Sequence, residues 1–307
     1  MTYIWILAVL LLLIFIWSFF LEQRRLVISE YKIPLNVDFD INRADNLGLS
    51  FVVLADLHNK TIGNNNRRLL KKILEQKPDF VIIAGDLITK GKPSYPGNAY
   101  NLIKNLSEHY PIYYAYGNHE QAFEDKIFQT NERTYKEYMA LYDSWDNYKE
   151  ELKQLGVHLL DNKSIILQYK DIELTITGLS IESDFYRRGK DIKLRLNDIN
   201  NKVGNRNRKG YQILIAHNPI YFKEYVSWGA DLVLSGHIHG GLVRIPCIGG
   251  VISPQVKFFP KYDAGHFNEM DQHMVVSRGL GTHSSMPRFL NPPELVVIRL
   301  GKPKGAL

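Results

Sequence analysis

A chain of 307 residues that is 45% hydrophobic and 23% charged can bury a full core and is not disordered. Its 38 Lys and Arg against 32 Asp and Glu leave a formal charge of +6, a modest excess that suits phosphates or acidic lipid surfaces. The lone Cys247 excludes an intramolecular disulfide and a thiolate metal site, and no Lys/Arg stripe interleaved with aromatics points to nucleic acid.

The first segment stands apart from the rest. Ile4 to Leu21 is uncharged and apolar except for Ser18. As a helix it would be about 27 Å long, close to a bilayer's hydrocarbon thickness. No basic residue precedes it and no small-residue cleavage site follows, which argues against a removable signal peptide. A single transmembrane anchor over residues 1–26 is expected, with Trp5 and Trp17 near its ends. Arg24, Arg25 and Lys32 follow the span, so the positive-inside rule favours a cytoplasmic body.

Residues 27–50, with Pro34 and Gly48, read as a linker plus an edge strand, and one domain is expected over 51–301. Phe51 to Ala55 is a strand ending in Asp56-Leu57-His58. Arg67 to Leu74 has helical spacing, and Phe80 to Ala84 is a strand running into Gly85-Asp86. Residues 98–109 suit a helix, and the apolar run 112–116 opens into Gly117-Asn118-His119-Glu120. Strand alternating with helix is the signature of a sheet covered by helices, an α/β fold.

Residues 121–155 are polar and aromatic, with Phe123, Trp145 and Tyr148 among them. They read as packing residues, or more sharply as a cap whose aromatic face accepts an apolar part of a substrate. Val157 to Leu179 alternates like strands, with turns at Asp161-Asn162 and Lys170-Asp171. Residues 184–210 are polar and basic, a solvated insertion or a patch for anionic headgroups. Strands resume at Tyr211–Ala216, Leu232–Ser235, Met274–Ser277 and Leu295–Leu300, and no repeats are visible.

The strand ends share one chemistry. Asp56 and His58 stand two apart, so both side chains leave one face of an extended backbone. Asp86 follows a glycine, as does Asn118, with His119 next to it; His217 follows Ala216; His237 and His239 are again two apart, before Gly240-Gly241. Five of the ten histidines occupy such ends, where loops converge in sheet proteins. This nitrogen and oxygen donor set suits Mn²⁺ first, then Zn²⁺ or Fe, rather than Ca²⁺. It offers too many ligands for one ion with an open catalytic position, whereas two ions sharing a carboxylate, roughly 3.5–4 Å apart, would use them all.

The ordered blocks Asp-x-His, Gly-Asp, Gly-Asn-His-Glu, His and Gly-His-x-His resemble those of the calcineurin-like metallophosphoesterase superfamily, from about Phe51 to Leu300. The apolar N-terminus, Gly240-Gly241 and the Val276-Ser277-Arg278-Gly279-Leu280-Gly281 segment resemble its membrane-anchored branch of phosphodiesterases and UDP-2,3-diacylglucosamine hydrolases. Leu242 departs from that branch, where many members carry Gln.

The resemblance implies a four-layer αββα sandwich. It implies one metal held by Asp56, His58, Asp86 and His239, and a second held by Asp86, Asn118, His217 and His237, with Asp86 bridging. His119 would be a catalytic non-ligand that binds the phosphoryl oxygen or protonates the leaving group. Glu120 would orient His119 or merely start a helix. Arg278 and Arg288 would contact phosphate, with a structural ion pair as the default. The expected activity is hydrolysis of a phosphodiester or pyrophosphate bond in a lipid-linked or nucleotide-lipid substrate. Rivals are a phosphoprotein phosphatase, a cyclic-nucleotide phosphodiesterase and a non-catalytic metal-binding scaffold at the membrane.

Overall fold

The computed structural model describes residues 3, 5–7, 9–10, 13, 25–35, 48–125, 135–170, 172–187, 192–207, 209–245, 248–253, 258–282 and 288–301. The expected anchor therefore falls largely outside the described residues, as do Arg24, Arg188, Lys190, Arg208 and Cys247. Tyr3, Trp5, Val9, Leu10 and Leu13 are helical and exposed. No helix among the described residues is long and apolar enough to cross a membrane.

The elements begin with β1 (Val27–Ile33), β2 (Leu49–Leu54), α1 (Arg67–Gln76), β3 (Phe80–Ala84), α2 (Asn98–Ser107), β4 (Ile112–Ala115), α3 (Asn118–Glu124) and α4 (Tyr135–Gln154). Next come β5 (His158–Leu159), β6 (Lys163–Tyr169), β7 (Ile172–Leu179), α5 (Leu196–Val203), β8 (Tyr211–Ala216), α6 (Phe222–Trp228) and β9 (Leu232–Ser235). The last are β10 (Arg244–Ile245), β11 (Gly249–Gly250), β12 (Gly265–Glu269), β13 (Gln272–Val276) and β14 (Glu294–Leu300). Two six-stranded sheets result, ordered β1-β14-β2-β3-β4-β5 and β12-β13-β9-β8-β7-β6, with β10 and β11 forming a small third sheet.

Strands β3 and β8 are buried at every position, since both of their faces are covered. Alternate residues serve opposite faces. Phe51, Val53 and Ile82 of one sheet meet Ile176, Ile213 and Ile215 of the other. Their neighbours Val52, Leu54 and Ile83 turn outward beneath α1, α2 and α4, against Leu69, Ile103 and Trp145. On the far side Leu214, Val233 and Met274 lie beneath Ile199 of α5 and Phe222 of α6. The order is helix, sheet, sheet, helix, and each fully buried large side chain contributes roughly 1.5–3 kcal/mol.

Residues 27–50, read as a linker plus an edge strand, supply β1, which lies at the edge of its sheet and pairs in parallel with β14 over seven residues. The basic stretch after residue 184 is not wholly solvated: it contains α5, whose Ile199 is fully buried, because that amphipathic turn closes the outer layer. Phe123 of α3 and Trp145 and Tyr148 of α4 are buried in the core as packing residues and form no exposed cap.

Strands β2, β3 and β4 run parallel, as do β7, β8 and β9, so the carboxyl ends of each set share an edge. The loops leaving those ends carry Asp56, Asp86, Asn118, His217 and His237.

Candidate metal centre

The loop after β2 is laced to the loop after β3. Amides of Asp56, His58 and Asn59 donate to the carbonyls of Gly85, Asp86 and Leu87 at 3.0, 3.1 and 2.9 Å. Five site residues adopt left-handed backbone: Asp56 (φ 52°), His58 (51°), Asp86 (52°), His237 (71°) and His239 (55°). Each such conformation costs on the order of 1–3 kcal/mol, and such strain gathers at functional sites. Close approach explains two glycines. A Cβ on Gly85 would lie 2.6 Å from Gly117 Cα and from His217 Nδ1, and one on Gly117 would lie 2.3 Å from Asp86 Oδ1.

These loops bring three groups of donor atoms together: Asp56, His58 and His239; His58, Asp86 and His119; Asp86, His217 and His237. Within each group the donor atoms lie within 4.8 Å of one another. Nε2 of His58 and Nε2 of His239 are 3.3 Å apart, and His239 Nε2 is 3.4 Å from Asp56 Oδ1. His58 links the first two groups and Asp86 the last two. Asp86 Oδ1 accepts the His119 amide at 2.8 Å, which leaves Oδ2 facing His217 Nε2 at 3.1 Å and His58 Nε2 at 3.9 Å.

The buried donor set fits divalent metal ions. Oδ1 of Asn118 is buried without a hydrogen-bond partner, a costly state that a cation would relieve. His217 Nδ1 lies 2.7 Å from the Ala84 carbonyl; donation there leaves Nε2 unprotonated for a metal, and the same hydrogen bond sets the ring's orientation.

The electrostatics of the metal-free cluster point the same way. Burial would raise the Asp86 carboxyl, but His217, His119 and His58 overcome it and hold the group well below the usual carboxylate range. Burial pushes Asp56 up to about 7, opposed by His217 and reinforced by Asp86. Burial disfavours a charged His217, yet Asp86 and Asp56 outweigh it and lift the imidazole to about 10.

His119 is held differently from the other histidines. Its Nδ1 accepts the Lys90 amide at 2.9 Å, so the proton of the neutral ring resides on Nε2. That Nε2–H lies 3.9 Å from Asp86 Oδ2. Glu120 does not orient this imidazole. Its carboxylate accepts the amides of Asp86, Leu87, Ile88 and Gly117 and the Tyr114 hydroxyl, at 2.7–3.2 Å, and so locks the Asp86 loop.

Arg278 takes the structural default, pairing with Glu294 at 3.0 Å. Arg288 is buried, donates to the carbonyls of Gly279 and Gly281, and stands 3.1 Å from His239 Nδ1. A phosphate contact by either guanidinium would compete with these bonds. Sequence reasoning missed Tyr186, whose ring packs edge-on 4.9 Å from that of His237; it sits in a short 3₁₀ turn with no apolar run to announce it.

The chain is 26% identical over 297 residues to an uncharacterized metallophosphoesterase of Aquifex aeolicus, covering 94% of both. It is 25% identical over 323 residues to the UDP-2,3-diacylglucosamine pyrophosphatase LpxG of Chlamydia muridarum, covering 94% of this chain and 93% of that one. With the phosphodiesterase YaeI of Escherichia coli it shares 23% identity over 227 residues, 74% and 72% of the two chains. The family model for calcineurin-like phosphoesterase matches residues 49–241. That stretch runs from β2 through the loop bearing His237 and His239, and the chain belongs to the calcineurin-like phosphoesterase family of metal-dependent phosphoester hydrolases.

Proposed function

We propose that this chain is a membrane-anchored phosphoesterase with two divalent ions, Mn²⁺ by preference, that hydrolyses a phosphodiester or pyrophosphate bond of a lipid-linked or nucleotide-lipid substrate. Asp56, His58, Asp86 and His239 would hold one ion, and Asp86, Asn118, His217 and His237 the other. The observation that carries the reading is the division of labour on Asp86: Oδ1 accepts the His119 amide, and Oδ2 is left between His58 and His217.

Bound ions would polarise the phosphoryl group and make water a nucleophile near neutral pH. The chain's own part is positional. Glu120 fixes the Asp86 loop, and the Ala84 carbonyl aims His217. Lys90 fixes the His119 tautomer, and its Nε2–H would donate a proton to the departing oxygen. Asn118 supplies a neutral oxygen and no proton.

The exposed helical residues Tyr3, Trp5, Val9, Leu10 and Leu13 support the anchor over residues 1–26, and the charge rule supports a cytoplasmic body. The name of LpxG supports the substrate class. Purified protein should carry about two transition-metal equivalents, and Asp86→Ala should lose both, together with turnover of bis-p-nitrophenyl phosphate and of a UDP-lipid. One ion that survives Asp86→Ala would reject the dinuclear centre. Turnover of a cyclic nucleotide with none of the UDP-lipid would reject the substrate class.

A further inference from the structure

Large apolar side chains exposed one at a time are ordinary, whereas several gathered on adjacent strips of backbone ask for a partner. Such a group follows the second metal-ligand loop. Ile248, Phe258 and Phe259 are 62%, 67% and 64% exposed, and Ile245 and Leu290 are exposed beside them. Their backbones form four neighbouring strips. Arg244 N bonds to Phe289 O at 3.0 Å, Val251 N to Val243 O at 2.8 Å, and Phe259 N to Val251 O at 2.8 Å. Asp263 fastens the platform from beneath, accepting from Arg244 Nη1 and Gly250 N at 2.7 and 2.5 Å. The patch is therefore held in place.

Two short links fix its position. Asn291, next to Leu290, donates to the carbonyls of His239 and Gly241 at 2.6 and 2.7 Å, which couples the platform to the candidate metal centre. Pro293, three residues after Leu290, accepts the Val27 amide at 2.9 Å. Val27 is where the chain enters the sheet after its uncharged apolar N-terminus. Val27, the exposed apolar strips and the metal-ligand loop thus lie along one edge.

We infer that Ile245, Ile248, Phe258, Phe259 and Leu290 form a second membrane contact that dips into the bilayer interface and sets the metal centre beside the lipid surface. The occupant is lipid because Val27, which follows the segment read as an anchor, is bonded to Pro293, three residues from the exposed Leu290, and the inference rests on that reading. Aliphatic and aromatic side chains are the types that enter the acyl boundary, and the exposed Lys261, two residues after Phe259, suits anionic headgroups at the rim. One transmembrane helix leaves a body free to swivel; a second contact fixes which face it turns to the membrane.

The test uses the full chain, with Cys247→Ser and one introduced thiol, in vesicles of phosphatidylethanolamine and phosphatidylglycerol. An environment-sensitive fluorophore at Phe259→Cys or Ile248→Cys should shift to the blue and lose intensity when the acyl chains are brominated. The same label at Ile166→Cys, exposed on β6, should do neither. Equal behaviour at 259, 248 and 166 in protein that floats with the vesicles would overturn the inference while leaving the anchor intact. A disulfide dimer through position 259 would overturn it in favour of a second copy. Failure of the full chain to float would overturn the anchor reading and this one with it.

Discussion

Glu120 Oε2 accepts the Asp86 amide at 2.8 Å, which ties the carboxylate two residues beyond Asn118 to the shared candidate ligand. Burial and the nearby Asp86 raise Glu120, and Tyr114 with the surrounding amides pulls it back. Glu120→Gln should keep the volume but set an amide NH₂ against donors. The expected result is a loss of about 3 kcal/mol or more in urea unfolding, with weaker metal retention. A wild-type midpoint and full metal content would show the clamp to be dispensable.

His119→Ala separates proton donation from metal binding. With Nδ1 engaged by Lys90, the ring offers only Nε2, and its removal should leave fold and metal content unchanged. Turnover should fall about 10²–10⁴-fold, and more on substrates with poor alkoxide leaving groups than on p-nitrophenyl esters. Equal loss on both classes would move His119 to phosphoryl-oxygen stabilisation, and loss of an ion would make it a ligand.

Proton release should accompany metal uptake. His217 is raised to about 10 and Asp56 to about 7 in the metal-free site, so at neutral pH the site holds protons that a cation must displace. Raised values mean tighter protons, hence weaker metal binding as pH falls and stronger binding as it rises, by about tenfold per pH unit for each proton displaced. Titration calorimetry of the demetallated protein at pH 8 in buffers of different ionisation heat should show this release. A binding heat independent of buffer would contradict it.

The two cuts that bracket β1 should behave differently. Removing residues 1–24 spares the seven-residue pairing of β1 with β14 and should give a folded body active on soluble diesters. Removing residues 1–33 deletes that strand with the fully buried Ile33, and should cost about 2 kcal/mol or more in thermal or urea unfolding. Equal stability of the two bodies would show the β1 pairing to be dispensable.

Much of this arrangement could be read from the chain because the strands that present the site are continuous apolar runs, buried on both faces, and each stops at a ligand-type residue. Phe80–Ala84 before Gly85-Asp86 is the clearest case. Strand β12 escaped notice because its residues Gly265–Glu269 form a half-exposed, polar edge. Glu120 was ambiguous because three of its five donors come from residues 86–88, more than thirty positions away. The basic run near Arg195 hid α5, since Ile199 is the one residue of that helix that is fully buried.

The five left-handed residues at the centre bear on how this chain could change over time. At positions 56, 58, 86, 237 and 239, glycine would relax the backbone while discarding the donor atom. Under selection for folding alone, drift at these positions would run toward a sturdier, inert relative. Selection for hydrolysis has to act against that slope at each of the five.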